Sequence, residues 1–147
     1  MPQWEQLVRL ALALVLGGIL GWERQQADKP VGLRTMALVA VGSAGFVLIT
    51  LEVVDWVRTF NPNVDPSRVL AGVIGGIGFL GAGTIIQSRG SIAGVTTAAV
   101  IWVTAAIGMA SAFGLYALAT ALCFLAFLTL ESGRLSRNKM REQDNHD

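Results

Sequence analysis

Four stretches of the chain carry no charged side chain, and they predict the elements that cross a membrane. The stretches are residues 10–22, 35–51, 69–88 and 90–130. A helix needs about 20 residues to cross a hydrocarbon core of about 30 Å, so the second and third stretches each fit one span. The first stretch is short, and extending it back to Trp4 gives a full span that includes Glu5 and Arg9.

The last stretch is too long for one crossing. Its 41 residues would form a helix of about 60 Å, twice the thickness of the core. We expect a break at residues 111–114, because serine and glycine loosen a helix there; a re-entrant segment is the alternative. The predicted fold is all-α, a polytopic membrane helix bundle of about five spans, followed by a charged cytoplasmic tail over 134–147. The spans are predicted at about 4–22, 35–54, 68–87, 93–111 and 114–132.

The distribution of basic residues predicts the orientation of the bundle. Five spans place eight basic residues on one side, namely Arg24, Lys29, Arg34, Arg89, Arg134, Arg137, Lys139 and Arg141. The other side carries only Arg58 and Arg68. By the positive-inside rule, the amino terminus is predicted outside and the carboxyl terminus in the cytoplasm of a bacterial inner membrane. A cleaved signal peptide fits the first span poorly, since residues 1–6 contain no basic residue.

Composition agrees with a protein whose main surroundings are the lipid bilayer. The chain is 53% hydrophobic and 14% charged, with a mean hydropathy of +0.58, whereas soluble domains carry about 25% charged residues. A net charge of +1 argues against nucleic acid as a partner. With Cys123 as the only cysteine and His146 as the only histidine, we expect no enzyme, no cofactor and no metal site.

Glycines at helical spacing predict close contacts between helices. Gly17 and Gly21 form one GxxxG face, and Gly72 and Gly76 form another that continues through Gly78 and Gly81. Such faces let helices approach closely in lipid, so they favour a homo-oligomer. The alternative is that the glycine run of the third span unwinds in part and offers carbonyl oxygens to an ion.

Charged residues at the ends of the spans are the candidate binding residues. Glu23, Arg24 and Arg34 lie on the predicted cytoplasmic side, and Asp65 and Arg68 lie on the outer side. The cytoplasmic group is either a solvated loop or a site for an anion, a phosphate-bearing ligand or an acidic partner, with Arg34 able to bind bidentately.

Two further polar positions have competing interpretations. Asp65 precedes Pro66 and Ser67, which is typical of a helix N-cap, and the alternative is a polar pair of Asp65 with Arg68 at the outer mouth of the bundle. Arg9 lies within the first span near its start, and we expect its side chain to reach the outer interface.

Three segments of the chain resemble the MgtC/SapB family of bacterial inner-membrane proteins. They are residues 21–25 with 32–46 (GLRTMALVAVGSAGF), residues 65–86 (DPSRVLAGVIGGIGFLGAGTII) and residues 94–108 (GVTTAAVIWVTAAIG). The resemblance covers about residues 4–130. The chain departs from it at Met36, where many members have a histidine, and at Ala93, where an arginine often stands. It is similar to the short members without a soluble carboxyl-terminal domain.

The resemblance implies a multi-pass protein linked to growth under magnesium limitation and to the survival of pathogens inside host cells. It also implies the proton-driven ATP synthase as a membrane partner. Two hypotheses follow. The first is a regulatory protein that works through helix contacts, as a homo-oligomer. The second is a small transporter or channel for an ion such as Mg²⁺ or a small anion, motivated by the glycine run and by the charges at both ends.

Overall fold

The computed structural model describes residues 1–61, 63, 65, 67–88 and 91–144, with side chains described in all of these except 87–88 and 135–144. Within that part the chain forms five helices and one short hairpin: α1 (Gln3–Gln26), α2 (Leu33–Arg58), α3 (Ser67–Ala82), β1 (Ile86–Ser88), β2 (Ser91–Ala93), α4 (Val95–Ala112) and α5 (Tyr116–Asp144). The predicted all-α membrane bundle is confirmed.

Among the described residues, four helices are long and apolar enough to cross a membrane. They are α1, α2, α4 and the first part of α5, Tyr116–Arg134. Helices α1 and α2 extend beyond both ends of the predicted spans and α5 extends beyond its predicted end, because backbone hydrogen bonding continues where the side chains turn polar, whereas α4 lies within two residues of the predicted bounds. This is clearest in α5, which runs into the predicted tail as far as Asp144; residues 145–147 lie outside the described part.

Helix α3 is shorter than the predicted third span. It has 16 residues and ends at Ala82 rather than near residue 87, so it measures about 24 Å against a core of about 30 Å. The Thr84 hydroxyl donates to the Gly81 carbonyl at 2.7 Å, and the Thr84 amide donates to the same oxygen at 3.0 Å. These bonds close a turn. Between Ser67 and Ala82 the helix is unbroken, so its glycines are not unwound.

The chain after α3 folds into a two-stranded antiparallel hairpin that the sequence pattern did not indicate. Ile86 pairs with Ala93, and Ser88 pairs with Ser91. Arg89, which the charge distribution placed in this connection, lies outside the described residues. Gly94 ends the hairpin with φ of +88°, and a Cβ at that position would lie 1.9 Å from the Thr84 carbonyl oxygen. Only glycine fits this start of α4.

Helix α4 is the centre of the bundle. It contacts each of the other four helices, and the buried residues along it are Thr97, Val100, Ile101, Thr104, Ala105, Ile107, Gly108, Ala110, Ser111 and Ala112. Leu20 of α1 and Met36 of α2 are fully buried in the same core. Small residues on several sides of α4 allow this density of neighbours.

The connection between α4 and α5 lies where serine and glycine predicted a break. Gly114 adopts φ of +74°, the Leu115 amide donates to the Ala110 carbonyl at 2.9 Å, and the Gly114 amide donates to the Ser111 carbonyl at 3.0 Å. This pair of bonds is the Schellman motif, which satisfies carbonyls at the end of a helix.

Helix α5 packs against α1 through the only cysteine of the chain. Cys123 is 4% exposed, and its thiol donates to the Leu16 carbonyl at 3.5 Å. A free thiol in such a position behaves as a small apolar side chain with a weak donor.

Candidate polar sites at the two ends of the bundle

Helix α1 ends in a buried ion pair formed by two consecutive residues. Arg24 Nε donates to Glu23 Oε2, and Arg24 Nη2 donates to Glu23 Oε1 at 2.6 Å. The two side chains are only 2% and 1% exposed. Each charge therefore depends on the other, because a buried charge without its partner is costly. Sequence reasoning selected both residues but did not anticipate that they would pair inside the protein.

A cavity of about 360 Å³ opens beside this ion pair. Arg24, Asp28 and Lys29 line it from the end of α1 and the loop that follows, while the hairpin and the first turn of α4 line its other side. The cavity is lined by polar and charged side chains, and it brings together segments that lie more than 50 residues apart in sequence.

Arg34 does not take part in this arrangement. It is exposed on the first turn of α2, and it is not among the residues that line the cavity. Within the described part of the chain it forms no ion pair. The structure therefore separates Arg34 from Glu23 and Arg24, although all three flank the same loop.

Asp65 and Arg68 lie at the opposite end of the bundle, where α3 begins. Asp65 accepts hydrogen bonds from the Ser67 amide at 2.9 Å and from the Ser67 hydroxyl at 2.8 Å. These bonds, the side-chain bond first, hold the pKa of the Asp65 carboxyl below its ordinary value, and the charge of Arg68 adds a smaller effect. Arg68 is exposed and is not close enough to Asp65 for an ion pair among the described residues. Pro66, predicted as the first helical position, lies outside that part.

The same end of the bundle contains an arginine whose side chain reaches from α1 to α4. Arg9 donates through Nη1 to the Ala112 carbonyl and through Nη2 to Glu5 Oε1 at 2.5 Å. Its side chain is 11% exposed and is held between the start of α1 and the end of α4; that it lies at the level of the outer interface stays a prediction. Glu5 and Arg9 are four residues apart and so share one face of α1, whereas nothing in the sequence indicates a contact of Arg9 with the carbonyl of Ala112.

The six predicted packing glycines fall into three groups, according to what lies beside each of them. A Cβ at Gly17 would lie 2.6 Å from Ala40 Cβ, and one at Gly21 would lie 2.6 Å from Leu33 Cα, so both glycines face α2 within the bundle. A Cβ at Gly81 would meet Ala98 at ordinary contact distances of 3.5–3.7 Å. A Cβ on any of the other three predicted packing glycines would have nothing within 4 Å; these are Gly72, Gly76 and Gly78.

The open side of α3 forms one wall of an apolar groove. The groove has a volume of about 690 Å³ and lies between α2 and α3, with Gly42 and Ser43 on one wall and Gly72 and Gly76 on the other. The Ser43 hydroxyl is buried and has no hydrogen-bond partner among the described residues. Buried hydroxyls normally find a partner.

The described residues contain no group of three or more histidine, cysteine, aspartate or glutamate side chains placed to hold a metal ion. Several charged side chains instead pair with one another or with backbone groups, among them Glu5 with Arg9, Glu23 with Arg24, and Asp65 with the Ser67 amide.

Comparison with known proteins shows the family to which the chain belongs. A family model described as MgtC family matches residues 10–138. The putative magnesium transporter YhiD of Escherichia coli K12 is 43% identical over 86% of this chain and 60% of that protein. Protein SrpB of Synechococcus elongatus is 40% identical over 88% of this chain and 77% of its own length.

A third relative, protein MgtC of Brucella abortus, is 43% identical over 72% of this chain and 42% of that protein. The chain thus spans about 60% of the length of its E. coli relative and less than half of the Brucella protein. No solved structure matches the chain.

Proposed function

Because this chain belongs to the MgtC family, and is a multi-pass bacterial membrane protein, we propose that it regulates membrane processes through contacts with other membrane helices. In this proposal it lies in the inner membrane with its amino terminus outside. Arg9 contacts the end of α4, and Gln6 contacts the last part of α2. The start of α1 therefore lies at the same end of the bundle as the ends of α2 and α4. This arrangement supports helices that cross the membrane in alternating directions.

The apolar groove between α2 and α3 is the observation that carries the proposal. Gly42, Gly72 and Gly76 leave space there for a neighbouring backbone, and close backbone approach is how helices associate in lipid. Ser43 adds an unpaired buried hydroxyl on the same surface. A carbonyl oxygen of an incoming helix would accept a hydrogen bond from it.

We assign the groove to a second copy of this chain. A two-fold contact uses the same patch on both molecules, so a patch must hold both a hollow and the side chains that fill it. Helix α3 has both: Gly72 and Gly76 form the hollow, and Val69 and Val73 line the same groove beside them. A different membrane protein, for which the family resemblance points to the proton-driven ATP synthase, is the competing occupant.

Adjacent glycines on α3 provide a matched test. Gly75 and Gly76 both have open space at the Cβ position, but only Gly76 lines the groove. Full-length copies with donor and acceptor fluorophores, mixed in membranes, should show energy transfer that Gly76→Leu abolishes and Gly75→Leu preserves. Equal transfer in the two variants, or none in the wild type, would exclude the second copy. Crosslinking of the wild type to the ATP synthase in place of itself would identify the other occupant.

The alternative function is a small transporter or channel for an ion such as Mg²⁺ or a small anion. Its support is the name of the E. coli relative, a putative magnesium transporter, together with charged residues at both ends of the bundle. Ion flux into proteoliposomes that Asp65→Ala or Arg34→Ala abolishes would favour this function over regulation. A well-folded protein that passes neither Mg²⁺ nor phosphate would count against it.

A further inference from the structure

We propose that the cavity at the end of α1 binds a phosphate group, which belongs either to a lipid headgroup or to a soluble phosphate compound. The cavity of about 360 Å³ lies between Arg24 and Lys29 on one side and the first turn of α4 on the other. This site is separate from the groove between α2 and α3, so it stands or falls independently of the second copy.

The first turn of α4 presents backbone donors to this cavity. Its N-cap, Gly94, has no side chain to accept a hydrogen bond from the turn, and the first turn contains no acidic residue. The first amide of α4 that has an acceptor within the helix is that of Ala98, which donates to the Gly94 carbonyl. The amides before it therefore have no acceptor within the helix, and together with the helix dipole they favour an anion.

An unpaired polar side chain on the same turn points to a ligand independently of the helix terminus. Thr97 is 4% exposed and lines the cavity. Its hydroxyl has no hydrogen-bond partner among the described residues, whereas Thr84, Thr120 and Thr129 each bond to a backbone carbonyl. A phosphate oxygen in the cavity would supply the missing partner.

The opposite wall supplies a fixed guanidinium. Glu23 holds Arg24 through Nε and Nη2, which leaves Nη1 without a partner in the described part of the chain. A guanidinium oriented in this way loses little conformational freedom when it binds a phosphate oxygen. Lys29 adds a second positive charge and Asp28 a negative one, so the wall and its ion pair are close to neutral before a ligand binds.

The position of the cavity suits phosphate at a membrane surface. It lies at the end of the bundle that carries most basic residues, which the positive-inside rule places on the cytoplasmic side, where lipid headgroups are. Both phosphatidic acid and free phosphate present the same oxygens to Arg24, Thr97 and the α4 amides. The structure therefore defines the chemistry, and the source is an experimental question.

The test uses the full chain in a maltoside detergent, which contains no phosphate. Inorganic phosphate is titrated in one arm, with binding followed by calorimetry. In the other arm phosphatidic acid is added to the micelles and retained lipid is detected by native mass spectrometry. Binding in either arm supports the site, and the arm that binds more tightly identifies the source. Binding in neither arm overturns the proposal.

Two pairs of variants distinguish this cavity from general electrostatic attraction. Thr97→Val keeps the shape of the side chain and should weaken binding about tenfold, whereas Thr104→Val removes a buried hydroxyl of α4 outside the cavity and should leave it unchanged. Lys29→Gln should weaken binding about fivefold, whereas Arg34→Gln makes the same charge change nearby but outside the cavity. Equal losses within each pair would show that the cavity is not the site.

Discussion

Gly108 of α4 faces the backbone carbonyl of Ala40 in α2 so closely that a Cβ at position 108 would lie 2.1 Å from that oxygen. The same Ala40 contacts α1, because its Cβ would lie 2.6 Å from a Cβ at Gly17. Ala40 is thus the point where three helices meet, and it is fully buried. The bundle is held together here by backbones in contact rather than by large side chains.

Gly108→Ala should therefore separate α2 from α4 and destabilise the protein by about 3 kcal/mol, at the upper end of overpacking effects. Gly45→Ala is the matched control, because Gly45 lies on α2 with nothing within 4 Å of its Cβ position. The control should leave stability unchanged or raise it by about 0.5–1 kcal/mol, since alanine is the better helix former. Thermal unfolding in detergent measures both, and similar melting temperatures for the two variants would contradict the close contact.

Glu23→Ala should destabilise the protein by about 3–5 kcal/mol, because it leaves the Arg24 charge buried without its partner. The double variant Glu23→Met with Arg24→Met should recover most of this loss, since it removes both charges. The control is Glu131→Ala, whose pair with Arg134 is 3.5 Å apart and partly exposed and contributes about 0–1 kcal/mol. Chemical unfolding measures all three. A double variant no more stable than Glu23→Ala would argue that the two charges are not coupled.

Gly114→Ala should destabilise the turn between α4 and α5. Alanine at φ of +74° costs about 1–2 kcal/mol, and its Cβ would lie 3.1 Å from Arg9 Nη2. Gly18→Ala on α1 serves as control, because its Cβ would make an ordinary contact of 3.6 Å with Leu33. Proteolysis at the α4–α5 turn should increase in Gly114→Ala alone. A turn equally resistant in both variants would mean that Arg9 and the turn tolerate a side chain.

Asp65 should contribute a stability increment that disappears in acid. Its pKa lies below the ordinary value of 3.8 in the folded protein, so the folded state favours the carboxylate and the increment is fully present above the unfolded pKa. It is lost as the pH falls through the folded pKa. The difference in melting temperature between the wild type and Asp65→Ala should be constant above pH 5 and shrink below about pH 4. A difference that grows in acid would contradict the Ser67 bonds.

The orientation of the bundle is a separate prediction. The positive-inside rule expects a tag at the amino terminus to be accessible from outside the inner membrane and one at the carboxyl terminus from the cytoplasm. Charge reversal of Lys29 and Arg34 together should produce some molecules of the opposite orientation. Tags accessible from the same side in the wild type would show that the short α3 does not complete a crossing.

Charge-free intervals were sufficient to predict α1, α2, α4 and α5, because a long apolar run in lipid leaves the helix as its only option. The turn at Gly114 followed from local chemistry, and the hydrogen bonds from Ser67 to Asp65 are of the kind that the sequence there favours. The end of α3 could not be predicted in this way, because apolar residues such as Ile85 and Ile86 are equally compatible with a continuing helix and with a strand. Their hairpin depends on the amide and hydroxyl bonds of Thr84, which no hydropathy pattern reveals.

The candidate sites were less predictable, since a side chain's partners depend on how helices rotate about their axes. The sequence left Glu23 and Arg24 as either part of a solvated loop or part of an anion or partner site, and only the fold shows that they are buried as a pair. Gly17 and Gly21 were selected by spacing alone, whereas Gly108 has no glycine four residues away and could be identified only from the position of Ala40. Arg34 and Arg24 flank the same loop, but Arg34 lies on the first turn of α2 and does not line the cavity that Arg24 lines.

The burial of Cys123 between α5 and α1 gives the protein an intrinsic reporter. The chain has one thiol, and that thiol is covered by the packed helices. A maleimide can therefore react with it only after α5 separates from α1. The rate of maleimide labelling therefore reports how often the two helices separate, without any introduced cysteine or dye.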